Sequence, residues 1–152
     1  MLRLLAPQTI DNTFRGQWLG FWLMAPLLIA KLGIAIMSIV NPAEANRADA
    51  IDVSTYSEAA LRAGLTTTAL LGLLHLSIAL LGVLAMIRYH AMVPLIYLML
   101  FGEFVARRFV LAAYPIERSE GVSSGSIVNI VLVTLMVLGL AFSLWTRRNA
   151  PP

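Results

Sequence analysis

Four long apolar blocks, separated by polar stretches, constrain this 152-residue chain more than any other feature. Each block has about 20–25 residues, the length that crosses a hydrocarbon core of about 30 Å as a helix. Period-2 alternation, the pattern of membrane β-strands, does not occur in these blocks. The sequence therefore predicts an all-α integral membrane protein, a four-helix bundle forming one transmembrane domain. The expected spans are 17–40, 63–87, 92–114 and 126–145, with an external loop at 41–62.

The low charge content supports the same class. Only 12% of the residues are charged, against about 25% in soluble domains, so the charges are too few to cover a water-facing surface.

The absence of cysteine excludes disulfides, Cys-based zinc sites, iron–sulfur clusters and thiol catalysis. The pI is about 9.8, but the basic residues are spread over the flanks of the apolar blocks, so no nucleic-acid partner is expected.

The distribution of basic residues predicts the orientation of the bundle. Five arginines flank one side, whereas most of the acidic residues lie on the other side. Because basic residues are enriched on the cytoplasmic side of membrane proteins, both termini and the 88–91 turn are expected in the cytoplasm. The five arginines are Arg3, Arg15, Arg88, Arg147 and Arg148.

Three predicted spans each carry one ionisable side chain at a similar depth. At about 1.5 Å per residue, Lys31, His75 and Glu103 lie roughly 14–18 Å below the outer ends of their helices. Ionisable groups in a membrane are costly and usually pair with one another in the bundle interior. Glu103 and Arg107 are four residues apart, so they share a helix face and can pair. We expect an intramembrane polar network of Lys31, His75, Glu103 and Arg107, in which Glu103 joins the first and third spans through Lys31 and Arg107.

Arg108 is expected to act apart from this network. It lies about 100° around the helix from Arg107, so it cannot easily reach the same pocket. Lys31, Arg107 and Arg108 outweigh Glu103 in charge, and this cationic excess requires an anion such as a lipid phosphate, an anionic ligand or an acidic residue of a partner. We expect Arg108 to contact a partner or a lipid, or to extend to the outer headgroups.

His75 allows three interpretations. It can make a polar packing contact, with Ser77 or a neighbouring backbone group, or it can form a proton relay with Glu103. It can also ligate a haem or a chlorophyll, with Gly72 one turn earlier leaving room for a flat macrocycle. No other cofactor is predicted, although a bound lipid or quinone stays an alternative. The sequence contains no nucleophile–base pair, phosphate loop or zinc motif, so neither an enzyme nor a metal site is expected.

Three segments, TFRGQWLGFWLMAPLLIAKLG, LLGVLAMIRYHAMVPLIYLML and FGEFVARR, carry a resemblance to known proteins. They resemble small four-helix bacterial membrane proteins of the DoxX-like kind and, more closely, an uncharacterised proteobacterial family of about this size. The resemblance implies the four-helix fold and a multi-pass location in the bacterial cytoplasmic (inner) membrane. DoxX itself resembles a quinone-linked oxidoreductase subunit, but no residue here identifies a quinone site, and the resemblance carries over no catalytic residue.

These features favour an accessory or structural subunit that packs against a larger bacterial membrane complex, respiratory or photosynthetic. One alternative is a protein that binds a quinone or an anionic lipid near Lys31, Glu103 and Arg107. Another is a small oligomeric transporter or channel, since four spans without a clear inverted repeat argue against a monomeric one. The expected partners are membrane lipids and either a larger complex or further copies of this chain.

Overall fold

The computed structural model describes residues 5, 10–116 and 124–145, and these residues are mostly helical. The predicted all-α class is confirmed for this part of the chain. A short 3-10 turn, His90–Met92, directly precedes the fourth helix. The five α-helices are α1 (Trp18–Val40), α2 (Pro42–Ala48), α3 (Glu58–Ile87), α4 (Val93–Ala113) and α5 (Ser124–Leu144).

Three of these helices, α1, α3 and α5, are long and apolar enough to cross a membrane, by length and composition. The helix α4 has a similar length, 21 residues, but it carries Glu103, Arg107 and Arg108. The third predicted span, 92–114, therefore differs from the other three by its charges. Three arginines that help to predict the orientation, Arg3, Arg147 and Arg148, lie outside the described residues, as does most of the connection between α4 and α5.

The predicted external loop at 41–62 is partly helical, because polar residues start two helices within it. The side chain of Asn41 accepts a hydrogen bond from the backbone N–H of Glu44, and Pro42 occupies the first turn of α2. The helix α3 begins at Glu58, before the apolar span that starts at 63, because the Ser57 hydroxyl accepts from the N–H of Ala60 at 3.3 Å. Hydropathy alone underestimates α3, since its first turn is polar.

A tight turn ends α2 and fixes the position of Asp49. Ala50 has φ 55°, a left-handed conformation that glycine adopts more easily than alanine. The N–H of Ala50 donates to Arg47 O at 2.9 Å and the N–H of Ile51 donates to Asn46 O at 3.0 Å, the paired bonds of a Schellman motif. Asp49 thereby comes to lie beside the start of α5.

The helix α1 is central in the bundle, where it packs against α3 and α5, while α4 packs against α5 and less extensively against α3. Tyr97 of α4 joins three helices in the core. Its side chain is fully buried, and its hydroxyl donates to the backbone oxygen of Gly20 on α1 at 2.9 Å. A Cβ atom on Gly139 of α5 would overlap the Tyr97 ring, so only glycine leaves room for this contact.

Candidate functional site

The structure brings Lys31, His75 and Glu103 into direct contact near the middle of their helices. The Lys31 ammonium of α1 donates to Glu103 Oε2 at 2.9 Å. His75 Nε2 of α3 lies 2.9 Å from Glu103 Oε1, and because a carboxylate only accepts hydrogen bonds, Nε2 is the donor. Glu103 of α4 therefore uses one oxygen for each neighbouring helix, and we name this group the Lys31–Glu103–His75 triad.

The three side chains of the triad are largely buried, although each of them is partly exposed. The side chains of Lys31, His75 and Glu103 are 10%, 15% and 22% exposed. A charge-assisted hydrogen bond is stronger than a neutral one, and the partly enclosed setting weakens screening of the Lys31–Glu103 pair. With both carboxylate oxygens bonded, the arrangement can hold three helices at one level.

The surroundings of His75 exclude the macrocycle interpretation on the Gly72 side of α3. A Cβ on Gly72 would lie 2.9 Å from the Ser38 side chain and 3.0 Å from the backbone oxygen of Ala35, so α1 fills the space that a macrocycle requires. Nε2 of His75 is already bonded to Glu103. The contact with Ser77 also differs from the expectation, because the Ser77 hydroxyl donates to Leu73 O within its own helix.

Arg107 pairs with a residue outside the triad. Its guanidinium donates to Asp49 Oδ2 at 2.7 Å, and the two side chains are 42% and 32% exposed. The expected pairing of Arg107 with Glu103 is therefore replaced by a contact with the end of α2. Helical spacing permits the predicted pair, but Lys31 and His75 hold the two Glu103 oxygens, and the turn at Ala50 supplies Asp49 as a nearer acceptor.

Arg108 lies on a different side of α4, as its position on the helix predicts. Its guanidinium lies over the Phe104 ring, 5.3 Å from the ring centroid. It also lines a cavity of about 30 Å³ with Asp49, Arg107 and Asn129. Among the residues that the structure describes, no carboxylate lies within ion-pair distance of Arg108.

Asp49 is the residue of this region that sequence reasoning missed. It lies 58 positions from Arg107, in a polar stretch without a motif. Its place depends on the turn that ends α2, and alanine at position 50 gives no sequence signal for a left-handed residue. Within residues 10–116 and 124–145, no three His, Asp or Glu side chains are placed to hold a metal ion.

Removal of the Arg107–Asp49 ion pair should reduce stability only slightly. Because both side chains are partly exposed, Arg107→Gln or Asp49→Asn should cost on the order of 1 kcal/mol or less in the free energy of unfolding. Thermal unfolding in a mild detergent measures this cost. Arg62→Gln, which removes an exposed pair with Glu58 on α3, is the matched control. A loss of several kcal/mol in Arg107→Gln alone would contradict the surface character of the pair.

Comparisons of this chain with protein-family models, with curated proteins and with solved structures found no match. The geometry of the described residues is therefore the basis on which a function is inferred.

Proposed function

We propose that this chain is an accessory or structural subunit of a larger membrane complex, with α4 as a fourth membrane span beside α1, α3 and α5. In this proposal both termini lie in the cytoplasm and the membrane is the bacterial inner membrane. The triad then lies close to the middle of the bilayer, where ionisable groups usually pair inside a bundle. The resemblance to DoxX-like proteins stays a prediction, and no residue role is taken from it.

The observation that carries the proposal is an open face of small residues on α4. Apart from Gly102, its two chain neighbours and the adjacent helix backbone, no described atom lies within 4 Å of the position that a Cβ on Gly102 would occupy. Ala106, one turn later, is also exposed, and Met99 and Val110 on the same face are 44% and 57% exposed. Small residues four apart allow the backbone of another transmembrane helix to approach closely. This face, defined by Met99, Gly102, Ala106 and Val110, is named the α4 small-residue face.

The exposed part of Glu103 favours a protein rather than lipid as the neighbour of the α4 small-residue face. Glu103, next to the α4 small-residue face, is 22% exposed. Exposed charges are costly against acyl chains, whereas the polar groups of a neighbouring protein can accommodate them. We infer that a transmembrane helix of another protein covers the α4 small-residue face.

The triad supports a structural role over acid–base chemistry or transport. Both oxygens of Glu103 are bonded to side chains of this chain, so the carboxylate has no oxygen left without a partner. A proton relay or a substrate site would require at least one of these bonds to open. Three helices held at one level by Glu103 form a rigid support, which suits a subunit whose outer face binds a partner.

Native gel electrophoresis and mass measurement of the protein, extracted gently from the membranes of its source, test this proposal. The wild-type chain should migrate in one complex with a fixed set of other membrane proteins. Gly102→Leu should release the chain from that complex while its unfolding temperature stays close to that of the wild type, because position 102 has open space around it.

Gly33→Leu is the matched control, since Gly33 lies in α1 and a Cβ placed there would also have no described atom within 4 Å. This variant should stay in the complex. A wild-type chain that migrates as a monomer, or as an assembly of its own copies alone, would contradict the proposal.

A further inference from the structure

A small polar cavity lies between α4 and the start of α5, on a different side of α4 from the small-residue face. It has a volume of about 30 Å³, room for roughly two water-sized groups. Its lining includes Asp49, Arg107, Arg108, Ser126 and Asn129. A cavity lined by two arginines and an amide is suited to an anion, because these side chains supply several N–H donors.

The charges that line the cavity leave one positive charge uncompensated. Arg107 and Arg108 contribute two positive charges and Asp49 contributes one negative charge, so the sum is +1. Asp49 is committed to Arg107 at 2.7 Å. Arg108 contacts the face of Phe104, which leaves the edge of its guanidinium for other acceptors. In the described part of the chain, no acidic side chain pairs with Arg108. The uncompensated positive charge of the cavity is therefore that of the Arg108 guanidinium.

The start of α5 adds a smaller contribution of the same sign. Ser126, in the first turn of α5, lines the cavity. The first N–H groups of a helix have no partner within the helix, and this end of the helix dipole is positive. Asp49 also lies here, since a Cβ on Gly125 would be 2.6 Å from its Oδ1. The carboxylate of Asp49 therefore offsets part of the positive charge of the helix end, and the two arginines supply most of the positive charge of the cavity.

We propose that this cavity binds the phosphodiester group of an anionic phospholipid, with Arg108 as the main ligand and Asn129 as a further donor. The planar guanidinium binds phosphate oxygens in pairs. A phosphodiester carries one negative charge and so matches the surplus of +1, whereas a phosphate monoester carries nearly two at pH 7. This assignment is independent of the partner on the α4 small-residue face.

The position of Arg108 along α4 agrees with a lipid headgroup. Arg108 lies five residues before Ala113, the last residue of the helix, or roughly 8 Å along the axis. A long arginine side chain can bridge such a distance to the headgroup level while its stem stays among acyl chains. Phe104, beneath the guanidinium, supplies apolar surface next to the phosphate. A headgroup without an ammonium, such as that of phosphatidylglycerol, is favoured because Asp49 is already paired.

Mass spectrometry of the phospholipids retained after gentle extraction from mixed bilayers tests the assignment. From equal amounts of phosphatidylglycerol, phosphatidylethanolamine and phosphatidylcholine, the wild-type protein should retain phosphatidylglycerol preferentially. Arg108→Gln should reduce this enrichment about tenfold, because a charge-assisted hydrogen-bond pair is lost. Arg108→Lys should retain part of it, since the charge stays but paired binding is lost. Arg62→Gln, an exposed arginine of α3, should retain all of it.

A second experiment distinguishes binding of a phospholipid from binding of a soluble phosphate ester. Glycerophosphoglycerol and inorganic phosphate are titrated against the protein in phosphatidylcholine nanodiscs, and neither should raise its unfolding temperature as phosphatidylglycerol does. Equal stabilisation by the soluble diester would overturn the assignment to a lipid. Equal retention of phosphatidylglycerol by the wild type and Arg108→Gln, with both proteins folded, would overturn the site itself.

Discussion

Glu103→Ala should lower the free energy of unfolding by about 3 kcal/mol or more, because it leaves the Lys31 ammonium enclosed without its partner. The Lys31 side chain is only 10% exposed, and its bond to Glu103 Oε2 joins α1 to α4. Deletion of one member of a buried ion pair is costly, since the remaining charge loses both its counter-charge and its access to water. Reversible unfolding in mixed detergent micelles measures the loss.

Two variants on the same helix provide the controls for this result. Glu103→Gln keeps an acceptor oxygen for one neighbour but removes the charge, so its cost should lie between that of the wild type and that of Glu103→Ala. Arg107→Gln removes a charge one turn later, where the side chain is 42% exposed, and should cost about 1 kcal/mol or less. If Glu103→Ala and Arg107→Gln cost the same small amount, the triad does not stabilise the bundle.

Gly139→Leu should be the second severely destabilising change. A Cβ at position 139 would overlap the ring of Tyr97, which is fully buried and cannot move into free space. The ring would have to shift, and its hydroxyl would lose the 2.9 Å bond to Gly20 O. Overpacking and the lost hydrogen bond together should cost about 3 kcal/mol, which lowers the unfolding temperature of a chain of this size by roughly 6–12 °C.

The control for Gly139→Leu is Gly33→Leu, which adds the same side chain where no described atom lies within 4 Å of the new Cβ. It should unfold within a few degrees of the wild type. Gly139→Ala should fall between the two, because one methyl group displaces the ring less than an isobutyl group. Equal unfolding temperatures for Gly139→Leu and Gly33→Leu would show that Tyr97 does not depend on a glycine at 139.

The helices could be predicted from the sequence where hydropathy decides their extent. Long apolar blocks leave few alternatives to helices, and the bounds of α1 and α4 lie within one residue of the prediction. Hydropathy does not predict where a helix begins when a capping side chain determines its first residue. Ser57 starts α3 well before its apolar stretch, and Asn41 with Pro42 starts α2, a helix that the apolar pattern does not indicate.

The contact among Lys31, His75 and Glu103 could be anticipated in part. A constant rise per residue places the three side chains at similar depths, and the cost of isolated charges favours their pairing. The rotation of each helix about its own axis determines which donors reach Glu103. Spacing along the sequence favours Arg107, because it lies four residues from Glu103 on the same helix. Arg107 pairs with Asp49 instead, because the turn at Ala50 places Asp49 nearby, and no residue pattern predicts this turn.

Gly72 and Gly102 also show how far the packing of the helices can be predicted from the sequence. A glycine in an apolar helix indicates a close approach without saying to what. In the structure, α1 fills the space beside Gly72, whereas the space beside Gly102 is open among the described residues. One glycine therefore packs the bundle, and the other belongs to the face for which we propose a partner.

The central claim, that Lys31 and Glu103 form an internal contact that holds the bundle together, is tested most directly by a double-mutant cycle. The free energies of unfolding are measured for the wild type, Lys31→Met, Glu103→Leu and the double variant. Each single variant should be strongly destabilised, and the double variant should recover most of the loss, which gives a coupling of about 2 kcal/mol or more. Additive losses, with no recovery in the double variant, would contradict the claim.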